Sequence, residues 1–160
     1  MANEILQKQG KDVTWAASGG DEVLTLTSLA TVAGRKGDVH DFGATFSQRC
    51  RVKLKTDFAT SPTAGDPVEV YWASSEDNSD FDSGTAQGDA AFTDTDLNKQ
   101  LHLVGILAAD ASTVSQGRSW VFDLPARYGY PVVYNGTGQS LSSTAADHEL
   151  VITPLVDEIQ

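Results

Sequence analysis

Cysteine is almost missing from this chain: Cys50 is the only one in 160 residues, which excludes an intramolecular disulfide and any multi-cysteine metal site. Its alternate neighbours Val52 and Leu54 are apolar, so it reads as an inert core thiol. Basic residues are scarce as well, 11 Lys and Arg against 22 Asp and Glu, and the resulting net charge of −11 opposes binding to nucleic-acid phosphate or to an anionic membrane. No apolar run approaches the roughly 20 residues that a membrane-spanning helix needs. The opening Met1-Ala2-Asn3-Glu4-Ile5 lacks the basic and apolar regions of a secretory signal, which points to a chain made and used in a cytoplasm. Catalytic signatures are missing too. There is no G-x-S-x-G elbow, phosphate loop or dinucleotide fingerprint, and Gly34-Arg35-Lys36-Gly37-Asp38, without a strand-to-helix pattern around it, reads as a turn. Carboxylate pairs are plentiful, but nothing singles one out as a catalytic dyad. The expectation is a protein with no enzymatic activity and no cofactor.

What is present is a two-residue period, the signature of strands with one buried face. Arg49 to Phe58 is the clearest case, with Cys50, Val52, Leu54, Thr56 and Phe58 on one face and Arg49, Arg51, Lys53, Lys55 and Asp57 on the other. Val68, Val70 and Trp72 alternate with Glu69 and Tyr71, and Trp120, Phe122 and Leu124 alternate with Val121 and Asp123. Leu101 to Ala108 is apolar on both faces, which predicts a central or covered strand. With Val13–Ala16, Glu22–Leu29, Tyr130–Tyr134 and Glu149–Thr153 the count reaches about eight short strands separated by Gly, Pro, Ser and Asp clusters. That pattern predicts an all-β fold: a single antiparallel β-sandwich, jelly-roll-like, occupying residues 1–160 as one domain. Residues 1–11 show no strand period and read as an N-terminal arm. The one helix signal is a turn or two after Thr93, where Asp94 and Asp96 lie near the start.

Several clusters invite chemistry. The acidic loop Glu76-Asp77-Asn78-Ser79-Asp80-Phe81-Asp82 has the oxygen ligands calcium prefers but not the spacing of an EF-hand, and reads as a solvated loop tip; Asp89, Asp94 and Asp96 form a second cluster. The histidines His40, His102 and His148 are far apart and form no i, i+4 ligand pair, so they read as hydrogen-bonded structural residues and no metal site is expected. Asn135-Gly136-Thr137 matches a glycosylation sequon, but Asn-Gly reads better as a turn needing positive backbone angles. Tyr71, Trp72, Tyr128, Tyr130 and Tyr134 fit a carbohydrate-stacking platform if exposed, or core and interface positions if not.

The basic ladder carries more information. Arg49, Arg51, Lys53 and Lys55 are four of the 11 cationic side chains and share one face of one strand. Like charges at alternate positions lie about 7 Å apart, which is tolerable if carboxylates lie opposite, on a neighbouring strand or across a subunit contact. They are the candidate interface residues, against the plainer possibility of a solvated face.

The closing region, Arg127-Tyr128-Gly129-Tyr130-Pro131-Val132-Val133, the Asn135–Gly138 loop and Thr153-Pro154-Leu155-Val156-Asp157-Glu158, resembles a group of small tailed-bacteriophage virion proteins. Leu24–Ala30 with the Gly34–Asp38 loop, and Pro62–Gly65 leading into Val68–Trp72, fit the same group, so the resemblance spans most of the chain beyond the first twenty residues. It implies a virion structural protein, assembled in a bacterial cytoplasm and located on the capsid exterior as a decoration or cement subunit. The implied partners are the phage major capsid protein and further copies of the chain, with a trimer expected. The alternative it leaves open is a head-fibre or tail-appendage module that binds host-surface glycan, or a neck or tail component.

Overall fold

The computed structural model describes residues 5–82, 84, 88–92 and 100–159. Two six-stranded sheets face each other. The first carries β2 (Val13–Ala16), β3 (Glu22–Val23), β6 (Arg49–Thr56), β10 (Gln116–Asp123) and β12 (Glu149–Ile159) in the order β10-β6-β12-β2-β3, with β1 (Ile5–Gln9) paired to the far half of β12. The second carries β4 (Ala33–Lys36), β5 (His40–Asp41), β7 (Pro67–Ser75), β8 (Ala90–Phe92), β9 (His102–Ala108) and β11 (Tyr128–Asn135) in the order β8-β4-β11-β7-β9, with β5 also on β11.

Number the eight framework strands β2, β4, β6, β7, β9, β10, β11 and β12 in chain order, and the first sheet reads first-eighth-third-sixth and the second reads second-seventh-fourth-fifth. That is jelly-roll topology, so the expected fold class holds, with β1, β3, β5 and β8 added to the frame. Among the described residues every strand pairing is antiparallel except β2 with β3. The core lies between the sheets. Val13, Trp15, Cys50, Val52, Leu54, Leu150 and Ile152 from the first meet Val68, Val70, Trp72, Val104, Leu107 and Val133 from the second. Trp15 and Trp72 meet edge to face, with ring centroids 5.8 Å apart, at the centre of that layer.

Several expectations need correction. Leu101–Ala108 is not central: β9 is the edge strand of its sheet, with Val104 and Leu107 inward across a bulge at Val70/Tyr71 while Leu103 and Ile106 remain exposed. The doubly buried strand is β11, flanked by β7 and β4. Ala33–Lys36, which overlaps the Gly34–Asp38 segment read as a turn, forms β4, because Gly34 leaves room for Phe92 and the charge of Arg35 is met by Asp89. The strand expected over Glu22–Leu29 is laddered only at Glu22–Val23; Leu24 and Leu26 still enter the core, and positive φ at Ser28 and Val32 turns the chain away. Residues 5–9, within the expected arm, are ordered as a strand on Leu155–Ile159, which makes a two-stranded ribbon continuing past the sheet. The helix expected after Thr93 lies outside the described residues.

Candidate functional site

The two sheets differ in what covers their outer faces. On the second, Phe81 from the loop after β7, Phe92 of β8 and Leu101 lie over Tyr71, Ala73, Tyr130 and Val132, forming a second, smaller core. Phe81 stacks on Tyr130 with centroids 5.1 Å apart, and Tyr71 and Tyr130 are 5% and 0% exposed. These two members of the expected aromatic platform are therefore buried by the chain's own connection. The Tyr71 hydroxyl donates to Glu69 Oε2 at 2.5 Å, and burial followed by the Glu69 contact pushes its pKa up. Tyr128 and Tyr134 sit half-buried at the margin, the former under the Arg127 guanidinium, 4.7 Å from its ring centroid. Trp72 is core.

The outer face of the first sheet carries the basic ladder. Cys50, Val52, Leu54 and Thr56 are fully buried, so Arg49, Arg51, Lys53 and Lys55 must emerge together on the other side. Residues directly opposite in a ladder share a face, so the register names their neighbours. On the β10 side, Arg49, Arg51, Lys53 and Lys55 face Asp123, Val121, Ser119 and Gly117. On the β12 side, Arg51, Lys53 and Lys55 face Thr153, Val151 and Glu149. Carboxylates therefore stand directly beside the two end cations, while across Thr153 from Arg51 stands Asp12, whose Oδ1 accepts the Thr153 hydroxyl at 2.5 Å. Arg51 reaches Thr153 Oγ1 at 3.4 Å, its Nε is buried with no partner among the described residues, and Val121 beside it is 57% exposed. Lys55 donates to the Ala146 carbonyl at 3.3 Å.

The remaining candidates resolve into local structure. In the acidic loop, Asp77 accepts the Ser79 and Asp80 amides and the Ser75 hydroxyl, which, with the Ser79 side chain foremost, lowers its pKa. Asp82 accepts the Ser74 amide and hydroxyl. Asp89 is held by Arg35 through Nε at 2.7 Å and Nη2 at 2.5 Å and by the Thr25 amide at 3.0 Å; burial raises its pKa, but these contacts outweigh it and the net shift is downward. Asp94 and Asp96 lie outside the described residues. Among the described residues no group of three His, Cys, Asp or Glu is placed to hold a metal ion. His40 contacts Glu22 at 2.8 Å, and His102 Nε2 lies 3.5 Å from Asp82. His148 Nε2 donates to the Ser142 carbonyl at 2.9 Å, which leaves Nδ1 to accept the Thr56 hydroxyl at 2.9 Å in the neutral ring.

Asn135 corrects the turn expectation. It ends β11 fully buried, and no positive φ occurs at Gly136. Its Nδ2 faces the carbonyls of Leu29, Ala30 and Gln139, and its Oδ1 accepts from Thr137 N and Oγ1. The sequon is thus a knot joining two loops to the sheet, with no room for a sugar.

No family model and no curated protein matches the sequence. Among solved structures the chain is similar to one described as "CBM4 structure and function", at 8% identity and a TM-score of 0.36, covering 78% of this chain and 61% of that one. It is also similar to "Family 16 Carbohydrate Binding Module-2", at 11% identity and a TM-score of 0.30, covering 89% of this chain and 80% of that one. The chain thus spans less than two thirds of the length of the first. At such values the function of this chain rests on its own residues.

Proposed function

We propose that this chain is a non-enzymatic structural protein of a bacteriophage virion, a decoration or cement subunit that binds the capsid exterior through the outer face of the β10-β6-β12-β2 sheet. The observation that carries the reading is the asymmetry between the faces: the chain covers one with its own connection, while among the described residues the other keeps a cationic row with Lys53, Ser119 and Val121 exposed, in a protein of net charge −11. Such binding stabilises the shell by linkage, because it favours the assembled state. The virion location comes from the resemblance of residues 127–138 and 153–158, and self-association into a trimer fits the local symmetry of a shell. The glycan-binding alternative loses Tyr71 and Tyr130 as an exposed platform.

The test is add-back. Shells of the encoding phage, stripped of this chain, are mixed with purified protein and imaged. Regular exterior density the size of one sandwich per site is the expected result. Failure to bind any shell, or density confined to the tail, refutes the reading.

A further inference from the structure

Past Pro154 the first sheet narrows to two strands. β1 follows β2 along one side of β12, whereas β6 accompanies the other side only as far as the Cys50–Pro154 pair. The ribbon of Ile5–Gln9 and residues 155–159 therefore has two edges with no strand beside them among the described residues. Parity decides which backbone groups those edges present. Gly10 donates to the Pro154 carbonyl at 2.8 Å, so the alternation of an antiparallel ladder directs the amides and carbonyls of 6, 8, 156 and 158 into the ribbon and those of 5, 7, 9, 155, 157 and 159 out of it. The Ser47 hydroxyl, which donates to the Leu155 carbonyl at 2.5 Å from the β6 side, agrees with this parity. Beside that contact, residues 44–49 with Leu155 and Val156 line a notch of about 680 Å³, room for a further strand to enter along β12.

We propose that each ribbon edge pairs with the opposite edge of another copy of this chain: the outer edge of β1 adds to the β6-side edge of β12 in the next, and three ribbons close into one barrel of alternating β1 and β12 strands. The step rests on the self-association included in the function proposed above. Rotation about an axis parallel to the ribbon sets every β1 against a β12 that runs the other way, so each new ladder is antiparallel, as the ribbon's own is. The contact is heterologous, closes into a ring and leaves no strand edge open. Charge selects the same pairing. Ile5–Gln9 contains Lys8 and no acid, while residues 155–159 contain Asp157 and Glu158 and no base. β1 on β1 across a two-fold axis brings lysine strand to lysine strand, and β12 on β12 brings acid to acid; β1 on β12 brings unlike strands together. A two-fold pair would also leave two edges bare, open to the addition of further chains.

The test uses the intact protein. Sedimentation equilibrium should give three times the 17.0 kDa of the chain. Cysteine is placed at β1 in one population, as Ile5→Cys, Gln7→Cys or Gln9→Cys, and at β12 in another, as Asp157→Cys; the two are unfolded together, refolded and oxidised. A disulfide between different chains is expected for at least one of the three mixtures. No β1 variant alone should cross-link, because a β12 strand separates its copies by about 10 Å, beyond disulfide reach. Gln7→Pro removes an amide that points out of the ribbon, a position where an edge strand accepts proline. It should leave the fluorescence of the buried Trp15 and Trp72 native and raise the concentration for half-assembly by at least about tenfold, the effect of three hydrogen bonds lost per ring. A monomer at every concentration reached, cross-linking by a β1 variant alone, or a trimer with no cross-link to 157 that Gln7→Pro leaves intact overturns the proposal. So does a monomer whose residue 7 and 157 amides gain exchange protection only on a shell, which would identify a capsid strand as the occupant. A monomer that still decorates stripped shells leaves the docking role standing, and a trimer that fails to bind them refutes that role alone.

Discussion

Replacing Asn135 by Ala removes the side chain that ties two loops to β11. The amide's two protons serve the carbonyls of Leu29, Ala30 and Gln139 at 3.1, 3.2 and 2.8 Å, and its oxygen takes the Thr137 amide at 3.2 Å and hydroxyl at 2.8 Å. Counting four net hydrogen bonds at roughly 1 kcal/mol each gives a loss of about 4 kcal/mol. The orphaned groups modulate that figure. Leu29 O keeps the Leu141 amide at 3.0 Å, and the Thr137 hydroxyl, freed from Asn135 Oδ1, can turn its one proton to Gln139 O at 2.8 Å, so the Ala30 carbonyl loses most. Against a typical stability of about 5–15 kcal/mol this is a large fraction, and it should lower Tm by about 8–16 °C in a domain of this size. Asn135→Asp is the sharper comparison, because it sets a second oxygen against three carbonyl oxygens and should cost more than Ala at neutral pH. Urea unfolding followed by the fluorescence of the buried Trp15 and Trp72 measures both. A loss below about 1 kcal/mol for Ala, or an Asp variant more stable than the Ala variant, refutes the account of this knot.

A methyl added at Gly129 would sit 2.5 Å from the buried Trp72 ring, so Gly129→Ala should destabilise by about 1–3 kcal/mol in denaturant unfolding. At Gly105 the methyl would enter the indole of Trp120, which is only partly buried and can swing away, so Gly105→Ala should cost less; the reverse order would show that the core yields at Trp72. Burial, with a smaller contribution from Asp123, pushes the Cys50 thiol up to about 12, so the folded protein should resist thiol reagents at mildly alkaline pH and react only after denaturation. Rapid labelling of the native protein would contradict the packing of β6. Asp41 is held down to about 2 by the Arg127 guanidinium and then by the Gly43 amide. The small stabilisation of this exposed pair is present above the ordinary carboxylate range and is lost as pH falls through 2. An NMR titration should place the Asp41 carboxyl there and return it upward in Arg127→Gln; an unmoved midpoint would remove Arg127 as the cause.

The strands that were legible in sequence are those whose two faces differ in polarity. In β6 every second residue from Cys50 to Thr56 is buried and every other is cationic or half-exposed, so the alternation read directly. β4 was hidden because a glycine followed by Arg35 and Lys36 looks like a turn; what makes it a strand is Asp89, 54 residues away, which takes the Arg35 charge. β9 was misplaced for the opposite reason. Leu103 and Ile106 gave it a second apolar face that local sequence cannot distinguish from a buried one. The burial of Tyr71 and Tyr130 was equally invisible, since their cover includes Phe81, which sits in an acidic loop. The candidate site was half legible: the cationic row follows from the period alone. Which residues flank that row depends on β10 and β12, which reach β6 from far along the chain, as in the contacts of Phe122 with Cys50 at a separation of 72 and of Arg51 with Thr153 at 102.

The order of the sheets also sets a timetable. β11 and β12, the last two strands along the chain, are the middle strands of their respective sheets. Until they are available, β7 has no partner on the β4 side, and β6 has none on the side of β2. A chain emerging from the ribosome therefore carries two half-sheets with open inner edges and an exposed apolar layer that includes Val52, Leu54, Val68 and Val70. The second sheet cannot close before β11 has been made, nor the first before β12, and the contacts that close the first join β12 to β2 near the other end of the described chain, the condition for slow folding. Fragments ending before β11 are thus expected to aggregate rather than fold, and holding the chain back until β12 is free is a requirement that the topology places on its synthesis.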